Sequence, residues 1–238
     1  MSNTHGVRSR STIQGIVAGC SVLILGFLAS SAAHADSRDR QWPARTALGC
    51  PAPMWPMESV AGSPGEGRRV LVIGDSLTRE SRQDLIREMR AQGWTPTIRC
   101  WGGKRLDWGL AQLKRAKSLG QLPEIVVLGL GTNDMRWIDR SVTKSRLERF
   151  VKAVGPQRQL IVVGTYARGA DRLSRPKERW FNNLAADLAA NRSNVHALDW
   201  GSFARANRVK FRDGLHYTRA GEKAYAAFIV DALGSRLN

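Results

Sequence analysis

The segment Val70-Leu71-Val72-Ile73-Gly74-Asp75-Ser76-Leu77-Thr78 is the most informative stretch of this sequence. Its four apolar residues follow one another without a polar break and stop at Gly74, which is typical of a strand buried on both faces of a parallel sheet. The polar residues after Gly74 predict a turn from this strand into a helix. Ser76 would then lie at the turn, with its hydroxyl exposed and helix amides nearby.

Similar apolar runs recur along the chain, and helical patterns lie between them. Strong runs span residues 125–128 and 160–163, and weaker runs span residues 97–100 and 195–198. Helical spacing of apolar residues begins at Leu147, Trp180 and Tyr225. About five alternations of strand and helix predict an α/β fold, namely a three-layer α/β/α sandwich with a central, mostly parallel sheet of about five strands. The functional site of such a fold lies at the carboxyl ends of the strands.

The N-terminus has the layout of a secretory signal peptide over residues 1–35. Arg8 and Arg10 precede an apolar run, and Ala33-His34-Ala35 fits the small-x-small cleavage rule. Cleavage after Ala35 would give a secreted, periplasmic or cell-envelope protein without a transmembrane domain. Lipidation at Cys20 and an uncleaved anchor are the alternatives, and the apolar run that continues well beyond Cys20 argues against the first of them.

Residues 36–66 contain five of the nine prolines and predict an irregular arm, so the regular domain would span residues 67–238. Removal of the signal leaves two cysteines, Cys50 and Cys100. In an oxidising compartment two cysteines favour one disulfide, which would tie the arm to the domain. Two unpaired thiols are the alternative.

The chain is strongly basic, with 37 Lys or Arg and 20 Asp or Glu among 238 residues. Without the first 35 residues, which carry two Arg and no acid, 35 basic and 20 acidic side chains remain, a net charge of +15. A hydrophobic fraction of 42% with eight Trp excludes a disordered chain. Most of the basic residues are Arg and not Lys. This excess of basic residues indicates either an anionic partner or a genome that favours Arg codons.

Two basic segments follow predicted strands. Residues 165–180 carry five basic and two acidic side chains, and residues 201–212 carry four basic side chains and no acid. We expect them to form a basic rim beside the site that attracts an anionic substrate. Solubility alone is the alternative explanation.

Candidate catalytic residues follow the strands or lie beyond the last one. Ser76 is a weak nucleophile until a base removes its proton. Of the two histidines after residue 35, His196 lies inside a predicted strand, which favours a structural role, whereas His216 lies on a glycine-containing loop. Asp213, three residues before His216, can place its carboxylate on one imidazole nitrogen and leave the other nitrogen facing Ser76.

An acyl-transfer site also needs hydrogen-bond donors for an oxyanion. The Ser76 amide, a glycine amide near Gly103 and the Asn133 side chain could supply three such donors. Either Gly102 or Gly103 could be the glycine that donates. Asp75 adjoins the serine, and we assign it a structural role in the turn.

Four short blocks in this order resemble those of the SGNH, or GDSL, hydrolase family: Gly74-Asp75-Ser76-Leu77, Gly103, Gly131-Thr132-Asn133-Asp134 and Asp213-Gly214-Leu215-His216. The resemblance extends from residue 70 to about residue 230. It implies a flavodoxin-like sandwich and hydrolysis of acyl esters without a metal or other cofactor. It also implies that Ser76 is the nucleophile, His216 the base and Asp213 its orienting partner. The implied oxyanion hole consists of Ser76, Gly103 and Asn133.

The sequence leaves several substrates open. O-acetyl or other small acyl groups on envelope carbohydrate fit the chemistry, and so do lipid acyl esters; the same residues would make an O-acyltransferase if an alcohol replaced water. Candidate substrate-binding residues are Trp101, Trp137, Arg172 and Arg175. A non-catalytic basic module that binds an acidic envelope polymer is the alternative from another class. We expect a monomer with no nucleic-acid partner and no metal site.

Overall fold

Five strands pair side by side in the described part of the chain, which in this computed structural model covers residues 68–169 and 173–236. They are β1 (Arg69–Gly74), β2 (Thr95–Cys100), β3 (Ile125–Gly129), β4 (Gln159–Val163) and β5 (Val195–Leu198). Their order across the sheet is β2-β1-β3-β4-β5, and every neighbouring pair is parallel. The predicted signal peptide, the proline-rich arm, Cys50 and Arg172 lie outside the described residues.

All five apolar runs form strands, and β2 differs most from its predicted start. β2 starts at Thr95, two residues before the predicted run, and therefore contains Pro96. β2 is the edge of the described sheet next to β1. Proline is tolerated on an edge strand because its missing N–H need not join a ladder on the open side.

Eight helices accompany the strands in the described residues: α1 (Ser76–Glu80), α2 (Arg82–Ala91), α3 (Leu106–Ser118), α4 (Thr132–Trp137), α5 (Arg140–Val154), α6 (Arg175–Ala190), α7 (Trp200–Ala206) and α8 (Arg219–Arg236). The periodic apolar spacing from Leu147, Trp180 and Tyr225 falls on α5, α6 and α8. None of these eight helices has the length and apolar character needed to cross a membrane.

The strands separate two apolar cores, one on each face of the sheet. Val70 and Val72 point to the face covered by α2, α7 and α8, whereas Leu71 and Ile73 point to the face covered by α3, α5 and α6. All four side chains are fully buried. Burial on both faces explains why β1 reads as an uninterrupted apolar run. The structure therefore confirms the predicted three-layer α/β/α sandwich.

The strand register brings three loop starts to one edge of the sheet. Gly74, the last residue of β1, lies opposite Cys100 of β2 and Gly129 of β3. The segments that follow these three residues therefore emerge next to one another. They carry Ser76, Gly103 and Asn133.

Candidate active site

Ser76 is the first residue of α1, directly after the turn that ends β1. The Asp75 side chain caps this helix, because its Oδ1 accepts a hydrogen bond of 3.0 Å from the Leu77 amide. α1 packs closely on the end of the strand: a Cβ on Gly74 would lie 1.9 Å from Oγ1 of Thr78. Only 9% of the Ser76 surface is accessible, so the residue is less exposed than its position at a turn predicted.

His216 and Asp213 lie within hydrogen-bond distance of each other and of the serine. Nε2 of His216 is 3.0 Å from Oγ of Ser76, and Nδ1 is 2.7 Å from Oδ2 of Asp213. The other oxygen of Asp213 accepts hydrogen bonds from the backbone amides of Leu215 and His216. The geometry thus brings together the serine, imidazole and carboxylate that the sequence analysis selected.

The carboxylate of Asp213 is held in its ionised form. Burial would raise its pKa, but the hydrogen bonds from the His216 side chain and from the His216 and Leu215 amides outweigh burial and hold the pKa of Asp213 well below its usual range. An ionised Asp213 can stabilise a positive imidazolium at His216.

Asn133 lies at the start of α4 and contacts Asp75, the residue before the serine. Its Nδ2 donates to Oδ2 of Asp75 and to the backbone oxygen of Lys104, both at 3.1 Å. A primary amide has two N–H donors, so both already have acceptors. The next residue, Asp134, accepts from the Leu106 amide at 2.9 Å and thereby fixes the start of α3.

Asp75 holds two parts of the site together. It is almost fully buried, and burial raises its pKa to about 7 although the Leu77 amide and His216 act to lower it. The hydrogen bond from the Leu77 amide agrees with the structural role predicted for Asp75 in the turn. Its contact with Asn133 was not found from the sequence, because the two residues are 58 positions apart and no local pattern links them.

Gly103 lies on the loop between β2 and α3 and has a φ of +74°, a conformation that favours glycine. It lines an open cleft of about 450 Å³ together with Lys104, Arg105, Asp107 and Trp108. Gly102, the other candidate donor, is buried and is not among the lining residues. No signal in the sequence singled out Lys104 and Arg105.

The remaining predicted residues lie around this edge or away from it. The Trp101 amide donates to the Gly74 oxygen, and the Lys104 ammonium lies 5.5 Å from the centre of the Trp101 ring. Trp137 ends α4 and is 49% exposed, and Arg175 begins α6 and is exposed. His196 lies in β5, where its Nε2 is 2.8 Å from Oε1 of Gln159, which agrees with a structural role.

No group of three or more His, Cys, Asp or Glu side chains within residues 68–169 and 173–236 is arranged to hold a metal ion.

Comparison with known proteins gives one family and several structural neighbours. The model of the GDSL-like Lipase/Acylhydrolase family matches residues 72–224. The catalytic domain of peptidoglycan O-acetyltransferase A from Streptococcus pneumoniae is 19% identical, with a TM-score of 0.63 over 73% of this chain and 96% of that chain. No curated protein sequence matches the chain significantly.

Two esterases have a similar fold. An acetylxylan esterase from Geobacillus stearothermophilus is 16% identical, with a TM-score of 0.57 over 72% of this chain and 96% of that chain. The psychrotrophic esterase EstA from a Pseudoalteromonas species is 16% identical, with a TM-score of 0.57 over 72% of this chain and 99% of that chain.

Proposed function

The chain belongs to the GDSL-like lipase/acylhydrolase family, and from this premise we propose that it is an exported serine ester hydrolase with Ser76, His216 and Asp213 as its catalytic triad. Family membership supports ester hydrolysis in general. The observation that carries the specific proposal is the continuous hydrogen-bonded chain from Ser76 Oγ through the imidazole to the Asp213 carboxylate, with distances of 3.0 and 2.7 Å.

The reaction begins when His216 Nε2 accepts the Ser76 proton. The serine oxygen attacks the ester carbonyl, and Asp213 stabilises the imidazolium that forms. His216 then donates its proton to the leaving alcohol, which leaves an acyl group on Ser76. Water repeats the sequence with His216 as base, and the acid product and free serine are released.

The oxyanion of each tetrahedral intermediate would be bound by the amides of Ser76 and Gly103 and by the Asn133 side chain. Gly103 is the better glycine candidate because it lines the cleft, whereas Gly102 is buried. Asn133 contributes an N–H by giving up or sharing its bond to the Lys104 oxygen. Loss of one such donor typically lowers kcat about 10²- to 10³-fold.

Small O-acyl groups on carbohydrate are the substrates that the cleft favours. Its lining is rich in charged residues, and such a lining suits a sugar better than a long alkyl chain. A peptidoglycan O-acetyltransferase domain and an acetylxylan esterase have the same fold as this chain, which is consistent with this choice.

Labelling with a fluorophosphonate probe tests the nucleophile. We expect covalent labelling of the wild-type protein and of Ser145→Ala, a control for an exposed serine on α5, and none of Ser76→Ala. Ser76→Ala should also lower hydrolysis of acetyl esters by at least about 10⁴-fold. A folded wild-type protein that is not labelled, or a Ser76→Ala variant that is labelled equally, contradicts the proposal and favours the non-catalytic module.

Transfer to an alcohol is the second candidate activity, and the structural similarity to an O-acetyltransferase domain favours its inclusion. Product analysis of an acetyl-ester reaction with added sugar acceptors separates the two activities. A hydrolase releases acetate in proportion to ester consumed, whereas a transferase yields acetylated acceptor.

A further inference from the structure

Two cations beside Gly103 have no role in the proposed chemistry. Lys104 and Arg105 line the cleft and are half-buried. Among the described residues neither side chain takes part in an ion pair, whereas Arg146, Arg205, Arg212 and Arg219 each pair with a carboxylate. A half-buried cation without a counter-ion is costly to desolvate, and a bound anion would offset that cost.

The acid in the cleft, Asp107, does not pair with these cations. Oδ2 of Asp107 is 2.9 Å from Arg146, and its Oδ1 accepts a hydrogen bond of 2.9 Å from the Trp108 amide. Both oxygens of Asp107 therefore have partners outside the cationic pair. Lys104 and Arg105 therefore have no ion-pair partner within residues 68–169 and 173–236, and they lie directly beside the proposed oxyanion donor.

Flat aromatic side chains accompany the charges. Trp108 lines the cleft, and the Trp101 ring lies 5.5 Å from the Lys104 ammonium. Indole faces pack against the apolar faces of sugar rings, and lysine and arginine bind carboxylates through charge-assisted hydrogen bonds. The combination suits an acidic sugar better than a lipid chain or a neutral sugar.

We propose that this cleft is an anion subsite in which Lys104 and Arg105 bind a carboxylate on the sugar that carries the acyl ester. The proposal rests on the proposed function and names its substrate class: O-acyl esters of acidic carbohydrate. The site lies next to Gly103, so a carboxylate bound there would orient the sugar while its ester reaches Ser76. The two residues thereby determine specificity and take no part in proton transfer.

A matched pair of substrates tests the subsite. Monoacetylated methyl glucuronoside and monoacetylated methyl glucoside differ only in the carboxylate at C6. We expect wild type to prefer the acid, and Lys104→Gln/Arg105→Gln to lower the ratio of kcat/KM for acid over neutral ester about tenfold. The preference should also weaken as salt is raised from about 0.05 to about 0.5 M.

Arg192→Gln is the matched control, because Arg192 is exposed and precedes β5 at the opposite edge of the sheet. It should leave the acid-over-neutral ratio unchanged. A ratio that is unchanged in the double variant, or lowered equally by Arg192→Gln, overturns the proposal.

Binding without turnover separates the subsite from the proposed reaction. Methyl glucuronoside titrated by NMR into Ser76→Ala should bind at least about fivefold more tightly than into the same protein with both cations replaced. Equal binding overturns the subsite even if the enzyme is an esterase. Weakened binding supports the subsite even if no hydrolysis is found, in which case the proposed function alone fails.

Discussion

At the scale of single residues, Asp75 has an unusual combination of burial and contacts. One carboxyl oxygen caps α1 through Leu77, and the other accepts from Asn133. The same side chain thus sets the start of the helix that carries Ser76 and the direction of the amide proposed to bind the oxyanion. Its pKa is raised to about 7 because the carboxyl group is almost completely removed from water.

This raised pKa predicts how stability depends on pH. Between about pH 4 and pH 7 the folded protein keeps a proton on Asp75 that the unfolded chain releases, so this residue's contribution to the free energy of unfolding falls as pH rises. The full effect is on the order of 4 kcal/mol and levels off above pH 7. Asp75→Asn removes the titration, so the stability of wild type relative to the variant should fall across this window.

Urea unfolding at pH 4 to 8 measures this difference. Asp187→Asn, an exposed site on α6, corrects for the general effect of removing one carboxyl group. A wild-type-minus-Asp75→Asn difference that stays constant from pH 4 to pH 7 would refute the prediction.

At the scale of elements, the loop before α8 is attached to α1 and α2. Arg212, next to Asp213, pairs with Glu80 at 2.7 Å. Arg219, in the first turn of α8, donates to both oxygens of the fully buried Asp84. Asp213 and His216 lie between these two attachments, so the ion pairs link the proposed base to α1, which carries the proposed nucleophile, and to α2.

Removal of the second attachment should weaken both the fold and the site. Arg219→Met leaves the buried Asp84 carboxylate with Arg87 as its cationic partner, and we expect a lower free energy of unfolding together with a lower kcat. Lys223→Met, exposed on the same helix, is the control. A double-mutant cycle with Asp84→Asn checks the pair, and strictly additive effects would show that the two side chains are not coupled.

The sequence predicts the strands better than it predicts the connections between them. β1, β3 and β4 are apolar runs long enough to be recognised alone, and the rule that sites lie at strand ends placed Ser76 and Asn133 at the same edge of the sheet. The five-residue helix α1 is too short to show a period. The Asp84–Arg219 pair joins residues 135 positions apart, so no local pattern reveals it.

The pairing of charged side chains is equally hard to predict from the sequence. Residues 165–180 and 201–212 are strongly basic in sequence, yet Arg205 lies 3.6 Å from Glu178 and Arg212 pairs with Glu80. Lys104 and Arg105 line the cleft and have no ion pair in the part of the chain that the structure describes, yet they form only a two-residue cluster in the sequence. A count of charged residues gives the net charge of a segment. Which cations form ion pairs depends on carboxylates that folding brings from other parts of the chain.

At the scale of the whole molecule, the predicted disulfide depends on the predicted export of the chain. Cys100 ends β2 and is 3% exposed, immediately before the loop that carries Trp101 and Gly103. Its predicted partner, Cys50, lies in the proline-rich arm outside the described residues. A bridge between them would attach the arm next to the cleft, and it can form only if the chain reaches an oxidising compartment.

Mass spectrometry of the protein secreted by a bacterial host tests both steps. We expect an N-terminus at Asp36 and an intact mass two hydrogens below that of the reduced chain, with a Cys50–Cys100 cross-linked peptide after proteolysis.

Since the bridge closes a loop of about 50 residues, reduction should lower the free energy of unfolding by about 4 kcal/mol in the chain-entropy model. Cys50→Ser/Cys100→Ser should match the reduced wild type and no longer respond to reductant. An unprocessed N-terminus would contradict export by this signal, whereas a processed chain in which both cysteines react with iodoacetamide would contradict the bridge alone.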